Sequence, residues 1–249
     1  MPEVLKLEKA HKEVQDRLKH YLEKAIRIYG DNLRSVLLFG SALEEKFRLK
    51  HSNINLVFVF RTIDANTMKA GLSLIHKGVK KKIIAPLFFT EKHIETSKDS
   101  FPMELLEIKE RHLALYGPDP FEGLDVPQGH LRLECEQQIK GMLIRLRQGF
   151  LEIGSKRKGI ERLLHGSFSS LLPVFRTVLR LRNEPVPPEK EDLIIRVAGE
   201  SDLDADVFLD LLRDKEGDEK IGGREAADFF DRYLKELTTL AHYIDGMAV

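Results

Sequence analysis

Leu37-Leu38-Phe39-Gly40-Ser41, followed after residues 42–52 by Asn53-Ile54-Asn55-Leu56-Val57-Phe58-Val59-Phe60, is the stretch whose reading decides the fold. Residues 35–39 are a short apolar run ending at a glycine, the pattern of a buried strand. Residues 54–60 read as a second strand. On a strand, residues separated by one share a face, so Asn53 and Asn55 point the same way at the entry to it. Gly40-Ser41 reads as the turn that closes the first strand. The glycine permits close approach of a ligand to the backbone, and a turn entering a helix offers N–H groups to phosphate. Residues 41–48 have room for one short helical turn.

Working outward, residues 3–29 carry Val14, Leu18, Tyr21, Leu22, Ala25 and Ile28 at three- and four-residue spacing, one buried face of an amphipathic helix that Gly30 stops. Residues 64–79 read as a helix with Met68, Leu72, Ile75 and Val79 on one face. Residues 83–89 are a third apolar run, and Pro86 marks an edge or a bulge in it. Residues 103–108 fit either a further strand or the start of a helix. The stretches 90–97, 101–102 and 115–117 read as connections that pack the two parts together; lining a cleft between the halves is the functional alternative.

Pro and Gly recur from Gly117-Pro118-Asp119-Pro120 to Gly129, which suits a connection between units. Beyond it the chain reads as helices over residues 131–151, 157–182, 189–199, 203–214 and 224–246. The expected fold class is therefore α+β: a mixed β-sheet domain with helices over residues 1–120, followed by an α-helical bundle over residues 121–249.

On the residues quoted first, the chain resembles the polymerase-β-type nucleotidyltransferase superfamily, and its segment order resembles the kanamycin nucleotidyltransferase-like branch. That superfamily places an apolar residue before Gly-Ser or Gly-Gly, then a spacer of this length, then Asp-apolar-Asp/Glu-apolar. Gly40, Ser41, the spacer and the apolar positions match; Asn53 and Asn55 stand where the resemblance implies metal-binding acids. Paired carboxylates on one strand face hold Mg²⁺, and two metals about 3.5–4 Å apart stabilise the attacking and leaving oxygens of nucleotidyl transfer. Neutral amides keep the shape of that pair and lose both charges, and with them the attraction that holds the ion. The resemblance also implies a third acid on a later strand. Residues 83–89 contain none, and Glu104 is the best-placed acid by order.

Composition narrows the function classes. The 249 residues carry 40 basic and 40 acidic side chains, a balance that argues against a dedicated nucleic-acid binder. No apolar run is long enough to span a bilayer, and the N-terminus lacks the pattern of a signal peptide. Cys135 has no internal disulfide partner, so a cytoplasmic home is expected.

Basic residues gather at Lys156, Arg157, Lys158, Arg162, Arg176, Arg180 and Arg182, and an acidic region follows from Asp202 to Glu219. A solvated, internally paired helix surface is favoured over a phosphate patch, because no aromatic residues interleave the basic run. Asp202-Leu203-Asp204-Ala205-Asp206 lacks the glycine and the terminal glutamate of a calcium loop, which leaves Ser201 or Asp202 as a helix N-cap.

The resulting expectation is a nucleotidyltransferase-fold protein without its catalytic acids. Gly40, Ser41, His51, Asn53 and Asn55 would bind a nucleotide or other phosphate ligand, or the helices would bind a protein partner. No metal is expected. Whether the chain is an enzyme stays open: one alternative is an active transferase moving a nucleoside monophosphate to a hydroxyl, with Mg²⁺ at a rebuilt site and Ser41, Glu91 or Glu104. Another is an antitoxin-like or scaffold protein. Amphipathic helices at both ends are compatible with a homodimer.

Overall fold

The computed structural model describes residues 5–44, 47, 52–154, 156–217 and 226–248. The chain divides into two units, Met1–Val126 and Pro127–Val249.

In the first unit, the apolar runs form β1 (Leu33–Phe39) and β2 (Asn55–Phe60), joined later by β3 (Leu87–Thr90) and β4 (His112–Tyr116). The order across the sheet is β3-β2-β1-β4. β1 runs antiparallel to β2 and β4, while β2 and β3 are parallel. A parallel pair needs a crossover, and α2 (Ala65–Val79) supplies it. Alternation along the central strands sends Val36, Leu38, Leu56, Phe58 and Phe60 to one face, with α1 (Lys12–Tyr29) and the buried Leu74 of α2. Leu37, Val57 and Val59 go to the other, with Ile94 of α3 (Glu91–Thr96) and Leu105 and Ile108 of α4 (Pro102–Glu110).

The α1 face is aromatic. Tyr29 meets Phe60 edge-on at 4.9 Å between ring centroids, and Phe58 stacks on Phe88 at 5.9 Å. Here the structure corrects two expectations. Tyr29 is buried at the end of α1, whereas Ile28 is exposed. On α2 the expected stripe of Met68, Leu72 and Val79 is half-exposed, and Gly71, Leu74 and Gly78 are buried instead. A Cβ on Gly71 would lie 1.8 Å from the Tyr29 hydroxyl, and one on Gly78 2.7 Å from the Tyr21 ring. Two tyrosines of α1 thus occupy the space that side chains on α2 would need. Neither hydroxyl, buried as it is, has a hydrogen-bond partner among the described residues. Asp64 caps α2 by accepting from the Thr67 N–H at 2.7 Å, a bond that holds its carboxyl below the usual range.

Residues 103–108 belong to helix α4, which settles the two readings left open. β4 ends in Leu115-Tyr116, residues whose sequence reads as part of a connection, and the Leu115 carbonyl accepts a hydrogen bond from the Lys6 N–H.

The second unit holds α5 (Gln128–Ile153), α6 (Arg157–Leu181), α7 (Lys190–Ser201), α8 (Ala205–Glu216) and α9 (Ala226–Asp245). Phe168, Phe175, Phe208 and Tyr233 fill its core. Cys135 is fully buried on α5, its Sγ 3.9 Å from the Val174 carbonyl, and burial pushes its thiol pKa far up. Leu133, on the same helix, is half-exposed. The N-cap of α8 is Asp204, which accepts from the Asp206 N–H; Asp202 instead closes α7 in the left-handed conformation. Several acids of this region are paired: Asp204 with Arg232, Asp210 with Arg213 and Asp214 with His165. No helix among the described residues is long and apolar enough to cross a membrane.

Candidate functional site

At the C-terminal end of β1, Phe39 is level with Asn55 on β2 and with His112 on β4. Level residues on neighbouring strands share a face. Asn55, Phe39 and His112 therefore form a row across the sheet, on the face that α3 and α4 cover. Gly40 turns the chain directly beyond it. Its φ of +77° lies in the left-handed region that favours glycine, and a Cβ there would come within 3.2 Å of the Asn55 amide nitrogen. Asn55 is half-buried against this turn, and Asn53 precedes it as an exposed residue. Of the other expected site residues, Ser41 is half-buried beside Gly40, and His51 lies outside the described residues.

The turn offers less than a full helix N-terminus. Gly40–Leu43 is a single 3₁₀ turn, and the Gly40 N–H already donates to the Arg111 carbonyl at 3.2 Å. The N–H groups of Ser41 and Ala42 have no acceptor within so short a turn.

The positions where acids would stand are apolar or turned elsewhere. Leu87 is level with Val57 on the parallel strand, so it shares the Asn55 face; it is 42% exposed. Glu91 pairs with Arg34 at 3.6 Å. Glu104 is exposed in the first turn of α4, while Leu105 and Ile108 of that helix enter the core. Among the described residues, no group of three His, Cys, Asp or Glu side chains is placed to hold a metal ion.

Two pairs at this end of the sheet escaped the sequence reading. The Arg111 guanidinium lies 3.4 Å from Glu44, just past the turn. His112 Nε2 lies 2.7 Å from Asp119, and its Nδ1 lies 3.0 and 2.9 Å from the carbonyl oxygens of Ile108 and Lys109. With both ring nitrogens engaged, His112 anchors the end of α4 to the loop after β4. The signal that could have revealed them is the five-residue alternation His112-Leu-Ala-Leu-Tyr116 before Gly117, a short strand pattern. Chemically, this end of the sheet holds the Asn55 amide, the exposed Asn53 and the Arg111–Glu44 ion pair, groups suited to hydrogen bonding.

No family model and no curated protein matches the chain. Among solved structures it is similar to the spectinomycin adenyltransferase AAD(9) from Enterococcus faecialis, solved with ATP and spectinomycin. The TM-score is 0.59 at 13% identity, over 90% of this chain and 99% of that one. At this identity the likeness establishes the fold: a nucleotidyltransferase-type mixed-sheet domain followed by a helical region.

Proposed function

We propose that this chain is a nucleotidyltransferase-fold protein that binds a nucleotide at the Gly40–Asn55 end of its sheet without catalysing metal-dependent transfer. One observation carries the reading: the Asn55 amide packs against Gly40, at the position where the superfamily pattern has an acid. Asn53 stands two residues before it, and Leu87 occupies the same face of β3. A carboxylate pair offers Mg²⁺ hard, charged oxygens; two amides and a leucine do not. Amides do hydrogen-bond to a base edge, a sugar or a phosphate. Arg111, tied to the turn through its carbonyl, is a cation at this end of the sheet and would exchange Glu44 for the phosphates. That the neighbouring structure holds ATP makes a nucleotide the first ligand to test.

Calorimetric titration with ATP, with and without Mg²⁺, tests the proposal on the unmodified protein and on Asn53→Asp/Asn55→Asp. The unmodified protein should bind ATP with an affinity that Mg²⁺ leaves unchanged within about threefold, and the double variant should acquire a dependence on Mg²⁺ of about tenfold or more. AMP transfer by the unmodified protein would overturn the binder reading. Absence of ATP binding in both proteins would point instead to a scaffold acting through its helices.

A further inference from the structure

A second site lies in the helical unit. α5 and α6 line a half-open surface pocket of about 230 Å³ whose wall includes the exposed Arg145 and Arg162. Neither guanidinium has a carboxylate partner among the described residues. Several other cations of this unit do: Arg132 and Lys140 share Glu136, Arg157 holds Glu161 beside Arg162, Arg182 faces Glu200 and Arg232 faces Asp204. Acids are thus plentiful in this unit, yet none of the described ones is paired with the two arginines that line this pocket. A bound anion would neutralise the positive charge that the two arginines bring to the pocket. No acidic residue lines the cavity.

The rest of the lining defines the ligand. Ser167 donates to the Leu164 carbonyl at 2.9 Å and meets the Tyr233 hydroxyl at 3.1 Å, so its hydrogen-bonding capacity is largely spent. Ser170 has no such bond among the described residues and leaves a hydroxyl for a ligand. Gly166 keeps the wall open, since a Cβ built there meets nothing within 4 Å. Arg145 folds over Gly141, its nearer terminal nitrogen 3.2 Å from where a Cβ would sit, so a side chain there would displace it. Met142 and Leu146 form an apolar wall. Guanidinium groups with a hydroxyl match a tetrahedral oxyanion in charge and geometry. The volume is below the roughly 300–1,000 Å³ of pockets for drug-sized ligands, which restricts the occupant to a compact molecule.

We propose that this cavity is an anion site for a small phosphate monoester, with Arg145, Arg162 and Ser170 on the phosphate and Met142 and Leu146 against the ester group. The site is independent of the Gly40–Asn55 row and of whatever binds there. It singles out Arg162 from the basic group of the second half, whose sequence reads more simply as solvated surface.

Calorimetry at low salt with inorganic phosphate and with phenyl phosphate provides the test, using the full chain, Arg162→Gln and Gly166→Leu. Phenyl phosphate should bind more tightly than inorganic phosphate. Each substitution should weaken both by about tenfold or more, one by removing a charge-assisted bond and the other by filling the opening. Gly166→Leu replaces a poor helix former with a good one, so it keeps the fold if Arg162→Gln does not. Binding weaker than about 10 mM in the unmodified protein, or equal binding in Gly166→Leu, would overturn the proposal. So would loss of phosphate binding in Asn55→Leu with retention in both cavity variants.

Discussion

The two faces of the sheet use the same strands to opposite ends. Under α1 and α2, Tyr21, Tyr29, Phe58, Phe60 and Phe88 interlock, and α2 comes so close that it needs glycine where the tyrosines lie. Under α3 and α4 the core is mostly aliphatic around Val57 and Val59, with the Phe121 ring fully buried in it, and towards Gly40 it gives way to Asn55 and His112. One face is closed by large rings along its length. The other is closed at one end and polar at the other, where the proposed nucleotide site lies. Alternation along a strand lets a single segment, Asn55–Phe60, serve both.

The largest expected effect comes from opening the closed face. Phe58→Ala should destabilise the first unit by ~3–5 kcal/mol in urea unfolding, because the cavity lies among rings that cannot collapse into it. Val57→Ala, one residue away on the other face, should cost only about 2 kcal/mol. Equal losses would remove the distinction between the faces. Next, Gly71→Ala should cost ~1–3 kcal/mol by forcing the Tyr29 hydroxyl away, and part of that loss should return in the Gly71→Ala/Tyr29→Phe double variant. If the effects of the two substitutions simply add, the contact is not what sets the spacing of α1 and α2.

The smallest effect concerns the hydroxyls themselves. Tyr29→Phe deletes a buried group that lacks a partner, and should stabilise by about 1 kcal/mol. Burial raises the pKa of both Tyr21 and Tyr29, and for Tyr21 the neighbouring Tyr29 adds to it. Their ionised forms are favoured in the unfolded chain, which titrates near the ordinary value of about 10. The stability tied to them is fully present below that pH and falls as pH rises above it. Tyr21→Phe/Tyr29→Phe should flatten the alkaline limb of a stability–pH profile, and an unchanged limb would assign it to other groups.

These contrasts also show what a sequence discloses. β1 and β2 are legible because continuous apolar runs bounded by glycine and asparagine have few other readings. The row on the site face follows from period-two alternation, which places Asn55 with Val57 before any coordinates are known. α2 misleads because its clearest periodicity, Met68-Leu72-Ile75-Val79, is not its packing face; glycines carry no hydrophobic signal, and the tyrosines that need them lie far away in sequence. β4 is hidden because it is short, begins with a histidine and sits at the edge of the sheet. The partners of Arg111 and His112 become legible only once that strand is recognised.

Cys135 gives the helical unit a built-in reporter. The chain has one cysteine, and it is sealed between α5 and α6 with its thiol held protonated at neutral pH. A thiolate is the reactive species, so an alkylating reagent can modify this side chain only when the helices part. The labelling rate, followed by mass spectrometry on the unaltered chain, therefore counts opening events of the second unit alone, without an engineered probe.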